Sequence, residues 1–248
     1  MGTRRGYREW MASMLVAGVV VMAPALAWAE WEFLGGFEGD THDTGFAFGA
    51  VGYLHPVTPR LDLAVRAAGS YLYYSFPENG GETRVTSPGI TLLAGPRFSG
   101  RGISLTLMAG AEARTIERET ETPAGRGRTS EDEVGPVANG TLWAQLSPRW
   151  DFLGLINYDS ANTYTWGRAS LKYQLTDGSR PLGLALGPEA TLQGNPDIFS
   201  VQGGGVGELS YRPLRLSLAL RLGYKRSTFE VGPAREGLYG GIALYKLY

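Results

Sequence analysis

Apolar and polar side chains alternate along most of the chain after residue 30. In LRLSLALRLGYK at 214–225, the leucines fall in one phase, and Arg215, Arg221 and Lys225 fall in the other. The stretch at 103–114 alternates in the same way. Because successive side chains of a β-strand point to opposite faces, a period of two over a dozen residues predicts strands with one apolar face.

Eleven groups of turn-forming residues interrupt this alternation. They are rich in Gly, Pro, Asn and Asp, which end strands and form loops. The longest and most charged of them, ETETPAGRGRTSEDE at 119–133, is expected to be a loop. The twelve strands predicted between these groups lie at 31–38, 45–54, 61–75, 83–98, 103–118, 134–146, 150–158, 163–175, 182–193, 198–211, 215–229 and 238–248.

The length of the predicted strands indicates a membrane barrel. A transmembrane strand needs about 9–11 residues, whereas strands of soluble proteins cluster near about five or six. An open sheet edge in lipid would leave backbone groups unpaired, so the sheet must close. With both termini in the periplasm, the loop at 119–133 lies outside the cell, as long loops do in such barrels. The pattern predicts an all-β, transmembrane, antiparallel up-and-down β-barrel of about twelve strands.

The first 29 residues have the pattern of a secretory signal peptide. Three arginines precede an apolar stretch that ends in Ala-Trp-Ala at 27–29, as in cleaved signals. We expect a signal peptide at 1–29 and a barrel at 30–248, with an uncleaved anchor as the alternative. Such a chain is expected in the outer membrane of a Gram-negative bacterium, with outer-membrane lipid as a partner.

Aromatic residues near the ends of the predicted strands support lipid contact. Trp and Tyr are enriched at both membrane interfaces of transmembrane barrels. An apolar outer face also explains why each strand keeps its charges in one phase, because a charge facing lipid is costly. The aromatic residues expected in these girdles are Trp31, Phe76, Trp150, Tyr158, Tyr164, Tyr211, Phe229 and Tyr239.

Composition argues against several functions. The formal charge of −1 argues against nucleic acid as a partner. The absence of cysteine leaves no disulfide, thiolate metal site or cysteine nucleophile. His42 and His55 both lie in predicted turns, so we expect no enzyme, no catalytic residue, no cofactor and no metal. A lipid-modifying or calcium-assisted site built from Asp40, His42 and Asp43 is the weaker alternative.

The polar phase of the strands is expected to line the barrel interior. It contains six acids, Glu32, Glu38, Asp62, Glu112, Glu189 and Glu208, and eight bases, Arg66, Arg97, Arg114, Arg168, Lys172, Arg215, Arg221 and Lys225. These charges form either an ion-paired plug or a channel for anionic or sugar-like solutes, and twelve strands do not decide between the two.

Tryptophan side chains in the same interior could stack on pyranose rings. The candidate lumen or glycan-binding residues are Arg66, Arg97, Glu112, Arg114, Trp143, Trp166, Arg168, Lys172, Glu189 and Arg221.

The chain closes with LYGGIALYKLY at 238–248. A terminal aromatic residue after alternating apolar residues resembles the signal by which the barrel-insertion machinery recognises its substrates. That machinery is therefore an expected partner, and the last strand is expected to pair with the first so that Tyr248 closes the cylinder. Lys246 departs from the pattern, which usually has an apolar or aromatic residue there.

Three stretches of the chain resemble the cellulose biosynthesis protein BcsS family. They are WEFLGGFEGDTHDTGFAFGAVGYL at 31–54, INYDSANTYTWGRASLKYQL at 156–175 and LGLALGPEATLQGNPDIFSVQGGGVG at 182–207. The elements that carry the resemblance are Trp166-Gly167-Arg168 and Gly187-Pro188-Glu189 with the following Gly194.

The resemblance implies a non-enzymatic outer-membrane barrel that is accessory to cellulose biosynthesis or export. Cellulose or components of cellulose synthase are the partners that it implies, and it supplies no catalytic residues. Two alternatives remain open: a passive oligosaccharide porin of the small twelve-stranded type and, as the weaker one, a lipid-modifying outer-membrane enzyme.

Overall fold

Twelve antiparallel strands form a closed barrel in the computed structural model, which describes residues 30–42, 44–78, 81–122, 125–161, 163–178, 180–230 and 233–247. Each strand pairs with its neighbours in sequence, and β1 pairs with β12. The predicted fold class and strand number are confirmed. The strands are β1 (Glu30–Asp40), β2 (Gly45–Thr58), β3 (Leu61–Glu78), β4 (Gly81–Gly100), β5 (Ile103–Thr122), β6 (Gly125–Ser147), β7 (Trp150–Asp159), β8 (Tyr164–Gln174), β9 (Leu182–Gly194), β10 (Ile198–Tyr211), β11 (Leu216–Phe229) and β12 (Arg235–Leu247).

Two expectations concern the ends of the chain. The predicted signal peptide at 1–29 and the closing residue Tyr248 lie outside the described residues. The pairing of the last strand with the first is confirmed from Glu32, which lies opposite Leu247, to Asp40, which lies opposite Tyr239. We call the barrel end that holds the first residues of β1 the terminal end, and the end that holds the β1–β2 turn the distal end.

The apolar phase of the strands faces outward. Leu222, Ile90 and Leu92 are 66%, 68% and 62% exposed, far more than buried core residues would be. Interior positions on the same strands are buried or half-buried. A monomer that exposes so much apolar surface needs an apolar partner, and this belt surrounds the barrel as the lipid-facing band of a membrane barrel does. Among the described residues, no helix is long and apolar enough to cross a membrane.

The predicted loop at 119–133 is wrong. β5 continues to Thr122 and β6 begins at Gly125, and the two strands stay paired in register along this stretch. Together with the adjoining parts of β3 and β4, they form a four-stranded extension at the distal end, which we call the distal sheet. β3 to β6 have 18, 20, 20 and 23 residues, whereas β7 and β8 have 10 and 11. The polar composition of 119–133 therefore reflects exposure to water and not an irregular backbone.

The inner face of the distal sheet contains an apolar cluster. Leu72, Tyr74, Val85 and Ile116 form a buried cluster, and Phe76 packs against it. The β9–β10 turn reaches this sheet, since the Asp197 carboxylate lies 3.7 Å from the Arg118 guanidinium. This ion pair therefore joins the β9–β10 turn to the distal sheet across the distal mouth.

The location predicted from the sequence is wrong for several residues. Arg215 is not a lumen residue: it has a left-handed backbone (φ 48°) after a short 3₁₀ turn, Arg212–Leu214, and its side chain pairs with Glu30 at 3.5 Å. Four of the expected girdle aromatics face inward instead, because they occupy the phase of the interior charges. Phe76 packs in the inner cluster, Tyr164 and Tyr239 line an interior cavity, and Phe229 lines the cavity next to it. Trp150, Tyr158 and Tyr211 do lie exposed on the outer face.

Candidate functional site

The ten candidate residues all occupy interior positions of the barrel. The register aligns them with other interior residues: Glu112 lies opposite Gly135, Arg168 lies opposite Thr191, and Arg221 lies opposite Val206. Strand pairing explains this agreement, since it keeps every second residue on one face. The placement in the lumen follows from the fold, whereas a role of these residues in glycan binding stays a prediction.

A chain of alternating charges crosses the middle of the lumen. The Glu189 carboxylate accepts a hydrogen bond from Arg221 Nε at 3.0 Å, and its other oxygen lies 3.4 Å from Arg168 Nε. Arg168 also donates to Glu38 on β1. Four strands separate β1 from β8 along the shorter way around the barrel, so this contact spans the lumen. The Glu189 side chain is 1% exposed, so it is shielded from water by its neighbours.

A second buried cluster centres on Arg114. Its guanidinium donates to Glu112 Oε1 at 3.0 Å from Nε, to the Ser87 carbonyl oxygen at 3.1 Å, and to Ser70 Oγ at 3.2 Å. Asp159 lies 3.7 Å away and is 2% exposed. Charge-assisted hydrogen bonds of this kind stabilise a buried guanidinium. The cluster therefore holds β3, β4, β5 and β7 together from inside.

The terminal end is less tightly filled. Arg66 donates to Glu32 at 2.9 Å, and Arg97 lies 3.8 Å from Glu32 and 4.0 Å from Asp62. The side chains of these four residues are 16–22% exposed. Nearby on the other wall, the Lys172 ammonium donates to Glu208. Water therefore reaches these side chains, and we call this end of the lumen the vestibule.

The two candidate tryptophans have different environments. The Arg168 guanidinium stacks on the Trp166 ring, 4.9 Å from its centroid, so this face of the indole is occupied by a cation. Trp143 lies near the terminal end and is 37% exposed. Of the two, only Trp143 leaves much of its surface open to a ligand from the vestibule.

Sequence reasoning missed several interior residues. Asp40 was assigned to a turn, yet its carboxylate accepts a hydrogen bond from Lys225 Nζ at 2.7 Å and from the backbone of Thr44 at 3.0 Å. Gln202 and Tyr239 are 2% and 1% exposed inside the barrel. Their phase along β10 and β12 matches that of the charged interior residues, and this signal could have found them.

The weaker catalytic alternative finds little support in the geometry around His42. The imidazole Nε2 lies 2.7 Å from the Glu236 carbonyl oxygen, and the His42 backbone donates to Asp40. Asp43 lies outside the described residues. Within the part of the chain that the structure describes, no group of three His, Asp or Glu side chains is placed to hold a metal ion.

Comparison with known proteins gives a family and a fold. A family model described as cellulose biosynthesis protein BcsS matches residues 59–247. The translocator domain of the autotransporter NalP from Neisseria meningitidis has a TM-score of 0.56 and 11% identity, covering 97% of this chain and 94% of that one. The β domain of the Bordetella autotransporter BrkA has a TM-score of 0.51 and 12% identity, covering 88% and 97%. At such identities these structures show the outer-membrane barrel fold alone. Comparison with curated proteins gave no match.

Proposed function

The chain belongs to the cellulose biosynthesis protein BcsS family and is an outer-membrane β-barrel, and from this we propose that it is a non-enzymatic accessory that retains cellulose at the cell surface. The family gives the pathway in which the barrel takes part. The filled interior and the distal sheet support a surface component rather than a conduit.

The filled centre of the lumen carries this proposal. In a water-filled channel the charged side chains that line the wall are solvated, whereas Glu189, Arg168 and Arg221 have side chains only 1–10% exposed. A glucan chain passing through would have to break the Glu38–Arg168 contact and leave buried charges without partners, which is costly. The barrel is therefore better suited to holding a position in the membrane than to conducting a polymer.

The distal sheet supports a role outside the cell. Termini and short turns of outer-membrane barrels lie on the periplasmic side, so the distal end faces the medium. The sheet extends β3 to β6 beyond the apolar band and carries exposed ion pairs on its outer face, such as Arg128 with Glu117 at 3.0 Å. It offers a rigid and hydrophilic surface where a secreted polysaccharide emerges.

The small porin is the second candidate. It is supported by the vestibule at the terminal end, where Arg66 and Arg97 are 17% and 20% exposed and Trp143 is 37% exposed. The buried central layer argues against it, since the vestibule ends there. A lipid-modifying enzyme is supported least, because the His42 ring contacts the Glu236 backbone carbonyl and not a serine hydroxyl that it could activate.

Deleting the gene in a cellulose-producing strain separates these roles. We expect the total glucose that cellulase releases to be unchanged and the cell-bound share of it to fall, with the remainder found in the medium. Cellulose trapped in the periplasm, with a lower total, would show a conduit instead. The purified barrel should give no conductance steps in planar bilayers, and His42→Ala should restore retention as well as the wild-type gene does.

A further inference from the structure

The distal part of β6 has a neighbouring strand on one side only. β5 pairs with β6 as far as Gly125, whereas the pairing of β7 with β6 ends at Val137. Among the described residues, no strand lies on the other side of β6 from 126 to 134. We call this stretch the open edge. Its side chains are exposed at every position except Glu133, which is half-buried.

The backbone of the open edge presents a row of unpaired groups. In an antiparallel sheet the N–H and C=O of one residue point to the same side, and those of the next residue point to the other. The Pro136 carbonyl points to the β7 side, because it accepts a hydrogen bond from Ser160 N at 3.1 Å. The N–H and C=O groups of every even-numbered residue before it therefore face the open side, where the described part of the chain offers no strand. Such a row is a template for pairing with a further strand. The residues concerned are Arg126, Arg128, Ser130, Asp132 and Val134.

The charges along the open edge make it complementary to a second copy of itself. Its first half contains Arg126 and Arg128, and its second half contains Glu131, Asp132 and Glu133. Charges on an edge strand can protect it against pairing. Here, however, an antiparallel copy brings the basic half of each strand opposite the acidic half of the other. Opposite charges directly across from each other stabilise a strand pair, and like charges destabilise it.

One register satisfies both the backbone and the charges. Because the even-numbered residues carry the free groups, they must lie opposite one another in the two copies. If Ser130 lies opposite the same residue of the second copy, Arg128 of each copy faces Asp132 of the other, and all five free N–H and five free C=O groups of each copy are paired. Centring the pair on Arg128 or on Asp132 would place identical charges opposite each other.

The direction of β6 decides how the two barrels meet. In every copy, β6 runs from the distal end at Gly125 to the terminal end at Ser147. The β6 strands of two barrels in one membrane therefore both run towards that membrane, and with a tilt of about 35–45° they cross instead of lying antiparallel. Antiparallel pairing requires the two distal ends to face each other.

We propose that the open edge is a docking surface for a second copy of this chain, and that antiparallel β6–β6 pairing centred on Ser130 joins two barrels distal end to distal end across facing outer membranes. The interface has two-fold symmetry, so each copy contributes the same residues. Backbone hydrogen bonds hold the strands together, and the charges select the partner and the register. This pairing does not depend on the proposed retention of cellulose, and either can fail without the other.

Disulfide cross-linking of the full-length refolded barrel in detergent tests the pairing. The chain has no cysteine, so Ser130→Cys introduces a single thiol. In the proposed register the two Cα atoms at this position lie about 5.5 Å apart, which a disulfide can bridge, and oxidation should give a covalent dimer.

Glu119→Cys is the matched control. It introduces an exposed thiol on the outer face of β5, one strand away from the open edge. Three strand spacings of about 4.8 Å would separate the two thiol-bearing strands, so this variant should form dimer at least about 10-fold more slowly. Heat-modifiable migration on gels confirms that each variant is folded.

Charge reversal tests the register. In the Ser130→Cys protein, Asp132→Arg and Arg128→Glu should each lower the initial rate of dimer formation by about fivefold or more, because like charges then face each other at two places in the pair. An equimolar mixture of the two reversed variants should recover the rate, since each basic position of one variant faces an acidic position of the other.

Three results in detergent would overturn the proposal. They are no dimer from the folded Ser130→Cys barrel, equal rates for Ser130→Cys and Glu119→Cys, and no recovery when the two reversed variants are mixed. Cells that display the barrel test its orientation. Oxidation should clump cells with Ser130→Cys and reductant should disperse them, whereas cells with Glu119→Cys should stay dispersed. Dimers that form on cells without clumping would show pairing within one membrane, and the facing arrangement would be wrong.

Discussion

The membrane-spanning band and the distal sheet use the same alternating strands with opposite outer surfaces. On β5, the outward residues in the band are apolar from Ile103 to Ala113, and the next outward residues are Thr115, Glu117, Glu119 and Glu121. On the inner face, the charged pair Glu112 and Arg114 is followed by the buried apolar Ile116 and then by Arg118. The surrounding medium, lipid below and water above, decides whether the outer phase is apolar, whereas the alternation itself shows only that the segment is a strand.

Substitutions of residues inside the membrane-spanning band are expected to lower the free energy of unfolding the most. Glu189→Gln leaves Arg221 and Arg168 with one partner fewer in a buried layer. We expect a loss of about 3–5 kcal/mol in the free energy of unfolding, the effect of breaking a buried pair from one side. Urea titration of the barrel in lipid vesicles measures it.

The control makes the same change on the distal sheet. Glu119→Gln lies on the exposed outer face of β5 and should stay within about 0.5 kcal/mol of wild type. A loss below about 1 kcal/mol in Glu189→Gln would mean that the central ion pairs are solvated in the membrane, and a porin would regain support.

Adding a charge to the outer face should give a smaller difference in unfolding free energy between the two regions. Leu222→Arg places a charge on the exposed apolar face of β11 and should destabilise the barrel by about 2–4 kcal/mol at the midplane. Ser130→Arg places it on the outer face of the distal sheet, where water solvates it, and should change the unfolding free energy by less than about 0.5 kcal/mol. The same vesicle titration compares them. Equal effects of the two substitutions would mean that the boundary between the lipid-facing band and the distal sheet is wrongly assigned.

Two adjacent glycines on β10 allow its outer and inner faces to be compared directly. A Cβ on Gly204 would lie 2.3 Å from the Leu222 carbonyl oxygen, whereas a Cβ on Gly203 would meet nothing within 4 Å. Gly204→Ala should therefore cost about 1–3 kcal/mol, as overpacking does. Gly203→Ala should be neutral or stabilise by up to about 1 kcal/mol, because alanine restricts the unfolded chain. The order of the two midpoints in urea checks this, and a reversed order would contradict the assigned faces.

Sequence alternation was enough to predict the strands but not their surroundings. Both ends of eleven of the twelve predicted strands lie within four residues of the observed ends, because turn residues such as those at 99–102 and 147–149 interrupt a regular period. The large error is the start of β6, predicted at residue 134 and observed at Gly125, because charges on both sides of the hairpin tip resembled a loop. Tyr239 was misassigned for the related reason that an aromatic near a strand end fits either a membrane interface or a packed lumen.

The pairing inside the lumen could not be predicted from one sequence. The phase of each strand gave the correct face for Arg168, Glu189 and Glu38. Their contact depends on barrel closure and strand tilt, which bring residues 130 positions apart in the chain together across the lumen. The prediction that Arg215 lines the lumen was wrong because the alternation extends one residue before the start of β11. That residue lies in a turn, and the pattern does not reveal its left-handed backbone.

The smallest expected effect concerns a single ion pair on the outer face of the distal sheet. Hydrogen bonds from Arg126, at 2.7 and 3.0 Å, hold the pKa of Glu121 below its ordinary range. Because the folded-state pKa is lowered, the stabilisation is present above the ordinary pKa and is lost as the pH falls through the folded value. Carbon-detected NMR titration of Glu121 should show the lowered pKa in wild type and an ordinary one in Arg126→Gln. Arg128→Gln, which disrupts the Glu117 pair instead, should leave it lowered, and an ordinary value in wild type would mean that water screens this pair completely.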